Sequence, residues 1–199
     1  MERNSGHPFQ STKGPDRNLK DEGGYSLQRG CLFCSFLEAK ENMIFETDRV
    51  YVFRDISPKA SLGHFLMIPK WHIRSYRELI QVEYKSQVPR SMIAEVDSSA
   101  SPLNQIAENI ALLEHMQVEA LNFLDKEFNE EYRSNDFYLG FHIPQIVMMP
   151  HLHMHILIGK LNFRGNIEFS RLIFSSIEWV MGRLEAEQKR LQKEYGGKY

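Results

Sequence analysis

The sequence has few cysteines and no long apolar run, and each absence narrows the class of protein. Only two cysteines occur in 199 residues, so disulfides are not expected to hold the fold together. No run of about 18 apolar residues is present, which argues against a transmembrane helix. The polar first residues contain no apolar stretch typical of a secretory signal. We therefore expect a reducing compartment, in which the cysteines are free thiols or metal ligands.

A strong excess of charge is absent as well. The net charge is −2 at pH 7, so neither nucleic acid nor an anionic membrane is an expected partner. The length suits one domain with a full hydrophobic core. Residues 1–28 are polar and are predicted to be a disordered tail. The folded domain is predicted at residues 29–186, followed by a charged C-terminal tail at 187–199.

Hydrophobic periodicity predicts an α+β fold with a mainly antiparallel sheet, a central long helix and a C-terminal helix. Ser101 as N-cap and Pro102 at the first helical position indicate where the central helix begins. Residues 84–101 lose periodicity and are predicted to be an irregular insertion. The C-terminal helix is predicted to begin near residue 170. Strands are predicted as a hairpin within 43–56, and at 63–69, 137–141 and 147–158.

Three histidines alternate with apolar residues in MPHLHMHILIG, residues 149–159. Alternate residues of a strand share a face, so His151, His153 and His155 are predicted to line one face while the apolar residues between them enter the core. Three roles are open for such a trio. Neighbouring imidazoles can bind one metal ion, a neutral imidazole can attack phosphorus, or the histidines can form a structural polar ladder.

The motif and its surroundings resemble the histidine triad nucleotide-binding proteins of the Hint branch. His-x-His-x-His followed by apolar residues is their signature, and CLFCSFL, VYVFRDISPKASLGHFLMIPKWHI and GFHIPQIVMMPHLHMHILI occur in the family's order and spacing. The turn GFHIPQ and the later helix with Trp179 are most similar to the third Hint subgroup, the adenosine 5′-monophosphoramidases. The resemblance spans about residues 30–185. It implies a histidine triad (HIT)-like fold and a homodimer, and we expect a cytoplasmic protein with access to the nucleus.

The resemblance also implies an enzyme that hydrolyses the P–N bond of purine nucleotide phosphoramidates of the AMP type. His153 would attack phosphorus and form a nucleotidyl-histidine intermediate, and no cofactor would be required for this chemistry. His155 would hold the phosphate oxygens, while His151 would orient the site or bind a metal. Asp55 matches the position that accepts from the ribose hydroxyls. The apolar slot for the purine would be formed by Leu32, Phe33, Phe36, Phe53 and Ile56.

One position departs from the family pattern. Met148 stands where the family has a serine that contacts the phosphate and the leaving group, and a methionine cannot donate a proton. His142 is a candidate substitute for that serine. The change leaves room for a nucleotide-binding scaffold or regulator with little catalysis. A second enzymatic alternative, from the same superfamily, is a dinucleoside polyphosphate hydrolase.

Structural zinc is a separate implication of the resemblance. Some relatives of the family bind zinc through a Cys-x-x-Cys pair, a histidine after a Pro-Lys turn and the first triad histidine. The corresponding residues of this sequence are Cys31, Cys34, His72 and His151. Two cysteines and two histidines are a chemically sound zinc set, and their use for zinc would leave His153 and His155 free for chemistry.

Overall fold

The structure, a computed structural model, describes residues 18–20, 26–40, 42–82 and 101–195. Its strands are β1 (Asn18–Lys20), β2 (Ser26–Gln28), β3 (Met43–Glu46), β4 (Val50–Arg54), β5 (Gly63–Pro69), β6 (Phe137–His142), β7 (Met154–Ile158) and β8 (Phe174–Ser176). The first two pair with each other, and the other six form one sheet of order β3-β4-β5-β7-β6-β8. Every neighbouring pair is antiparallel. The predicted α+β class is confirmed.

The helices of the described chain are α1 (Leu32–Ala39), α2 (Tyr76–Ile80), α3 (Pro102–Phe128), α4 (Phe163–Glu168) and α5 (Ile177–Tyr195), with a 3₁₀ turn at Asn129–Ser134. The long helix α3 begins where the sequence predicts. The Ser101 hydroxyl accepts from the Asn104 backbone N–H at 3.1 Å, which satisfies one of the free donors of the first turn. None of the described helices has the length and apolar character needed to span a membrane.

The two faces of the sheet have different neighbours. On one face, Val52, Phe65 and Ile156 pack in the main core together with buried residues of α3 and α5. On the other face, Tyr51, Phe53, Leu66 and Ile68 pack with α1 in a second, smaller cluster. Successive residues of β4 and β5 therefore enter different clusters, as the two-residue period of a strand requires. Leu66 lies opposite His155 in the β5–β7 register, so His155 projects on the α1 side of the sheet.

The predicted histidine strand at 147–158 is wrong in its first half, because β7 begins only at Met154. Ahead of it, the Leu152 backbone N–H donates to the Ile73 carbonyl, and the His151 ring donates to the Pro69 carbonyl. These hydrogen bonds attach residues 151 and 152 to the last residue of β5 and to the loop that follows it, outside the regular pairing of β5 with β7. The apolar residues of the motif nevertheless enter the core as predicted: Leu152, Met154, Ile156 and Ile158.

Both predicted tails need correction. Asn18–Lys20 and Ser26–Gln28 are paired strands rather than disordered chain, and Leu27 is 2% exposed because it packs beside α1. At the other end, α5 continues to Tyr195, and Leu191 is buried in the main core although its neighbours are charged. The helix also begins at Ile177 rather than near residue 170, after β8 and α4, which the sequence did not predict. Apart from Ser101, the predicted insertion at 84–101 lies outside the described residues.

Candidate active site and metal centre

The three triad histidines are divided between two clusters. His151 lies with Cys31, Cys34 and His72, in a group that we call the thiol cluster. His155 lies with His64 and Asp55, in a group that we call the imidazole cluster. Within each group the potential ligand atoms all lie within 4.8 Å of one another. His153 lies between them, with its ring centroid 5.1 Å from that of His155.

The thiol cluster has the spacing of a tetrahedral metal site. The Sγ atoms of Cys31 and Cys34 each lie 3.5 Å from Nδ1 of His151, and Cys34 Sγ lies 3.4 Å from Nδ1 of His72. A zinc ion with Zn–S near 2.3 Å and Zn–N near 2.05 Å would separate S and N ligands by about 3.6 Å. The four side chains come from α1, from the loop after β5 and from the segment ahead of β7, so the tertiary fold assembles them.

The surroundings of His151 also fit a metal ligand. Its Nε2–H donates to the Pro69 carbonyl at 3.1 Å, which fixes the tautomer and leaves the Nδ1 lone pair directed at the two sulfurs. His151 is fully buried. The Cys34 side chain, through its hydrogen bond, lowers the pKa of the Cys31 thiol, and the same interaction raises the pKa of Cys34. Two sulfurs that share one proton, beside two imidazoles, form a donor set that suits zinc.

His153 is oriented by a backbone hydrogen bond. Its Nδ1–H donates to the His151 carbonyl at 2.7 Å. Because a carbonyl only accepts, the neutral ring carries its lone pair on Nε2. Burial lowers the pKa of His153 to about 4, so the ring is neutral at pH 7. The edge of Phe33 lies against it, with ring centroids 5.3 Å apart.

His64 belongs to the site, and the sequence analysis missed it. Its Nε2 lies 2.9 Å from Nδ1 of His155 and 3.6 Å from a carboxylate oxygen of Asp55. The nearby carboxylate favours a proton on His64 Nε2, which then donates to His155 Nδ1. His155 must consequently carry its own proton on Nε2, a buried atom with no hydrogen-bond partner among the described residues. Burial lowers the pKa of His64 to about 4, and burial also lowers the pKa of His155 well below its usual value, so both rings are neutral.

The residues predicted for the nucleotide slot are partly brought together. The rings of Phe33, Phe36 and Phe53 pack in one group, with Phe53 5.3 Å from Phe33 and 5.6 Å from Phe36. Since Phe33 also touches His153, this aromatic group adjoins the triad. Leu32 and Ile56 are exposed, the latter almost fully. Asp55, which precedes Ile56, accepts from the Ser57 backbone N–H at 2.7 Å through its other oxygen.

His142 lies beside the triad, whereas Met148 is exposed to solvent. The His142 ring centroid lies 4.6 Å from that of His155, and its Nδ1–H donates to the Ile173 carbonyl at 3.3 Å. Burial lowers its pKa. Met148 is 96% exposed. Phe169, which the sequence did not single out, lies just after α4 and stacks on His142 at 5.0 Å. It also contacts the rings of His64 and His155.

Comparisons with known proteins identify the family of this chain. The family model described as scavenger mRNA decapping enzyme C-term binding matches residues 30–168, which include both clusters and the whole triad. A Danio rerio protein named adenosine 5′-monophosphoramidase HINT3 is 29% identical over 143 residues, covering 70% of this chain and 71% of that protein. Its Mus musculus namesake is 24% identical over 168 residues, covering 80% and 84%.

A similar solved structure is that of a histidine triad protein from Clostridium difficile. It is 23% identical with a TM-score of 0.46, and the match covers 67% of this chain and 94% of that one. The family model matches more than half of the 199 residues and includes the whole triad. This chain belongs to the histidine triad (HIT) family of hydrolases.

Proposed function

We propose that this HIT hydrolase is a purine nucleoside 5′-monophosphoramidase with His153 as its nucleophile. The observation that carries the proposal is the 2.7 Å hydrogen bond from His153 Nδ1–H to the His151 carbonyl. It leaves the lone pair on Nε2, and the lowered pKa keeps the ring neutral. A neutral, oriented imidazole is an effective nucleophile toward phosphorus. The relatives named adenosine 5′-monophosphoramidase support the choice of substrate.

The reaction has two displacements at the α-phosphorus. In the first, His153 Nε2 forms a bond to phosphorus, the P–N bond of the substrate breaks, and the amine leaves with the electron pair and takes up a proton. In the second, water attacks the nucleotidyl-histidine, the bond from phosphorus to Nε2 breaks, and AMP and neutral His153 are released. Dividing one difficult substitution into two easier ones is the usual advantage of covalent catalysis.

His155 would stabilise the charge that develops on the phosphate oxygens. Its Nε2–H is a buried donor without a partner among the described residues, as expected of a group that waits for a substrate oxygen. His64 would act as a positioning residue, because its hydrogen bond to Nδ1 sets the tautomer of His155. The carboxylate of Asp55 would then lie beside His64 and also accept hydrogen bonds from the ribose hydroxyls.

His142 is better suited to accept a proton than to supply one. Its Nδ1–H is used by the Ile173 carbonyl, so the neutral ring has only a lone pair on Nε2 to offer. We propose that it helps to deprotonate the attacking water in the second displacement. It would not replace the serine that the family has at the position of Met148, and the proton for the amine would come from solvent.

We also propose that the thiol cluster binds a structural zinc ion. Cys31, Cys34, His72 and His151 supply the four ligands, and the hydrogen bond from His151 to Pro69 is the outer contact typical of a ligating histidine. The ion would tie α1 to the loop after β5 and to the start of the triad segment. It would hold the His151 carbonyl in place, and that carbonyl orients His153.

Assembly and location complete the proposal. We propose a homodimer, as the resemblance implies, located in the cytoplasm with access to the nucleus. Light scattering of the purified full chain tests the first point, because a monomer mass at micromolar concentration would contradict it. Imaging of the fluorescently tagged chain tests the second.

The decisive experiment is hydrolysis of a fluorogenic adenosine 5′-phosphoramidate, combined with ³¹P detection of the trapped intermediate. Wild type should turn the substrate over and, after rapid acid-free quenching, carry a phosphorus–nitrogen signal that the H153A variant lacks. Phe163→Ala is a control for the loss of an exposed ring, because Phe163 lies at the start of α4 and is exposed. Binding of AMP without turnover would favour a nucleotide-binding scaffold, and turnover confined to dinucleoside polyphosphates would favour the alternative hydrolase.

A further inference from the structure

The helix α4 exposes an apolar face, which is unusual for a helix on the surface of a domain. Phe163 and Ile167, four residues apart, share one side of the helix and are 80% and 56% exposed. Leu172, in the turn that follows, is 85% exposed. The opposite side of this segment is buried, at Gly165 and Phe169. A surface helix normally places its polar residues outward, so this arrangement indicates a contact outside the described chain.

The buried side of the segment is fixed against the candidate active site. Phe169 stacks on His142 and also contacts the ring of His155. A Cβ atom at Gly165 would lie 2.8 Å from the Lys59 carbonyl oxygen, so the helix is in close contact with the loop between β4 and β5. The exposed apolar side chains therefore cannot reach the core by rotation of the helix.

Cations surround the apolar face. Lys160, Arg164 and Arg171 are exposed, and within the described chain neither Lys160 nor Arg171 forms an ion pair. Glu168 is the one acidic residue of segment 160–172. Its carboxylate lies 3.8 Å from Arg164 and 3.7 Å from Lys59, so two cations share one anion and positive charge is in excess. We call the three exposed apolar residues and the three exposed cations the α4 patch.

We propose that the α4 patch docks on the surface of an anionic lipid membrane. The apolar side chains would enter the boundary between headgroups and acyl chains, and the cations would pair with the anionic headgroups. The net charge of −2 for the whole chain does not predict this attraction, because it averages the patch with the rest of the surface. The contact is reversible and does not require a helix that spans the membrane. It is also independent of the proposed hydrolysis.

The shape of the patch favours lipid over a protein partner. The core of a protein interface is packed as densely as a protein interior and needs a complementary surface. Phe163 and Leu172 instead project separately, from a short helix and from a turn. Fluid lipid accepts such separate side chains without a matching surface. Docking would bring the imidazole cluster close to the membrane, because Phe169 connects the end of α4 to the ring of His155.

Sedimentation of the purified full chain with vesicles tests the proposal. Vesicles of phosphatidylcholine with about 30% phosphatidylserine are compared with pure phosphatidylcholine at an ionic strength of about 150 mM. Wild type should bind the anionic vesicles about tenfold or more tightly, and added salt should weaken the binding. The double variant Arg164→Gln/Arg171→Gln should lose affinity about 10- to 30-fold, since each cation near the surface contributes a factor of roughly five. Phe163→Ser/Leu172→Ser should lose about tenfold or more.

The matched control is Val118→Ser/Lys126→Gln, because both of its residues are exposed on α3. It should bind as wild type does, and an unchanged Tm in every double variant would show that each remains folded. Equal binding by the patch variants and the control, or no preference of wild type for anionic vesicles, would overturn the proposal. If the patch substitutions dissociate a dimer in light scattering and wild type binds no vesicles, a second copy covers the patch and the proposal is wrong.

A fluorescence measurement distinguishes insertion from attraction by charge alone. Phe163→Trp places a reporter on the patch, and its emission is compared with that of wild type, which contains only Trp71 and Trp179. Lipids brominated on their acyl chains should quench the added emission of Phe163→Trp, whereas the added emission of Val118→Trp should not be quenched. Equal quenching in the two variants, or none in either, would mean that the apolar face does not enter the lipid and would overturn the proposal.

Discussion

His151 of the thiol cluster differs from the two histidines of the imidazole cluster in the partners of its ring nitrogens. In the thiol cluster, the second ring nitrogen of His151 is satisfied by the Pro69 carbonyl, and the first faces two sulfurs. In the imidazole cluster, His64 Nδ1 and His155 Nε2 are buried and have no partner among the described residues. A satisfied ring is fixed as part of the structure, whereas a buried ring nitrogen without a partner costs stability until a ligand binds. His72 Nε2, in the thiol cluster, is buried without a partner as well, so the contrast holds between His151 and the two histidines of the imidazole cluster. It supports the proposal of a structural role for His151 and of chemistry at His155.

The largest expected effect is a loss of turnover, without a loss of zinc, when His153 is removed. His153→Ala should lower kcat by roughly 10³-fold or more, because removal of a covalent nucleophile leaves only binding and charge stabilisation. Its Tm and zinc content should match wild type, since the ring contributes no metal ligand. Stopped-flow turnover, calorimetry and metal analysis check the three points. A large loss of zinc in this variant would show that the two clusters are not independent.

Removal of a ligand from the thiol cluster is expected to have the opposite effect, a loss of zinc and of stability. Cys34→Ala removes the sulfur that lies near both His72 and His151, and zinc content should fall from about one ion per chain to near zero. We expect a loss of about 3 kcal/mol or more in unfolding free energy, which corresponds to a Tm lower by roughly 10 °C. Ser35→Ala, an exposed neighbour on α1, is the matched control. If wild-type protein contains no zinc and a chelator leaves its Tm unchanged, the metal assignment is wrong.

The sequence predicts those parts of the fold and of the two clusters that depend on local patterns. The apolar run at 63–69 and the Ser101-Pro102 start signal gave β5 and α3 at the observed residues. The resemblance selected the four members of the thiol cluster, which the fold does bring together. Alternation correctly predicted which residues around the triad enter the core. It did not predict that His151 and His153 lie outside β7. Their position depends on hydrogen bonds from residues 151 and 152 to Pro69 and Ile73, which are distant in the chain.

The missed features have a common physical cause. His64 sits inside an apolar strand, and its role depends on the β5–β7 register, which places β5 beside the strand of His155. No local pattern gives that register. The helix α5 was predicted to begin too early because LIFSSIE continues the apolar spacing. Ser176 does carry a start signal, since its hydroxyl accepts from the Trp179 backbone N–H at 3.3 Å. Leu191 is a single apolar residue among charged ones, a pattern that predicts a solvated tail, and its burial in the main core depends on the packing of α5.

A smaller effect tests whether the imidazole cluster works through tautomer control. His64→Leu should lower kcat/KM about 10- to 100-fold, because His155 is then free to place its proton on either nitrogen. His64→Gln retains an amide donor near the position of Nε2 and should recover part of the loss. Zinc content should be unchanged in both variants. Equal activity of the Leu and Gln variants would mean that His64 only fills space beside Phe169.

The smallest expected effect is a change of kcat/KM with pH. Its measurement tests whether the histidines of the imidazole cluster are neutral. Burial lowers the pKa of His64 to about 4 and that of His155 well below its usual value. The active neutral form is therefore retained as pH falls and is lost only near pH 4. Between pH 8 and 5.5, kcat/KM should change less than about twofold, whereas a histidine of ordinary pKa near 6.5 would cause a roughly tenfold decline. Because acid also weakens zinc binding, zinc content is measured at each pH. A decline centred near pH 6.5 with zinc fully retained would show that a solvated histidine, not this buried pair, controls the reaction.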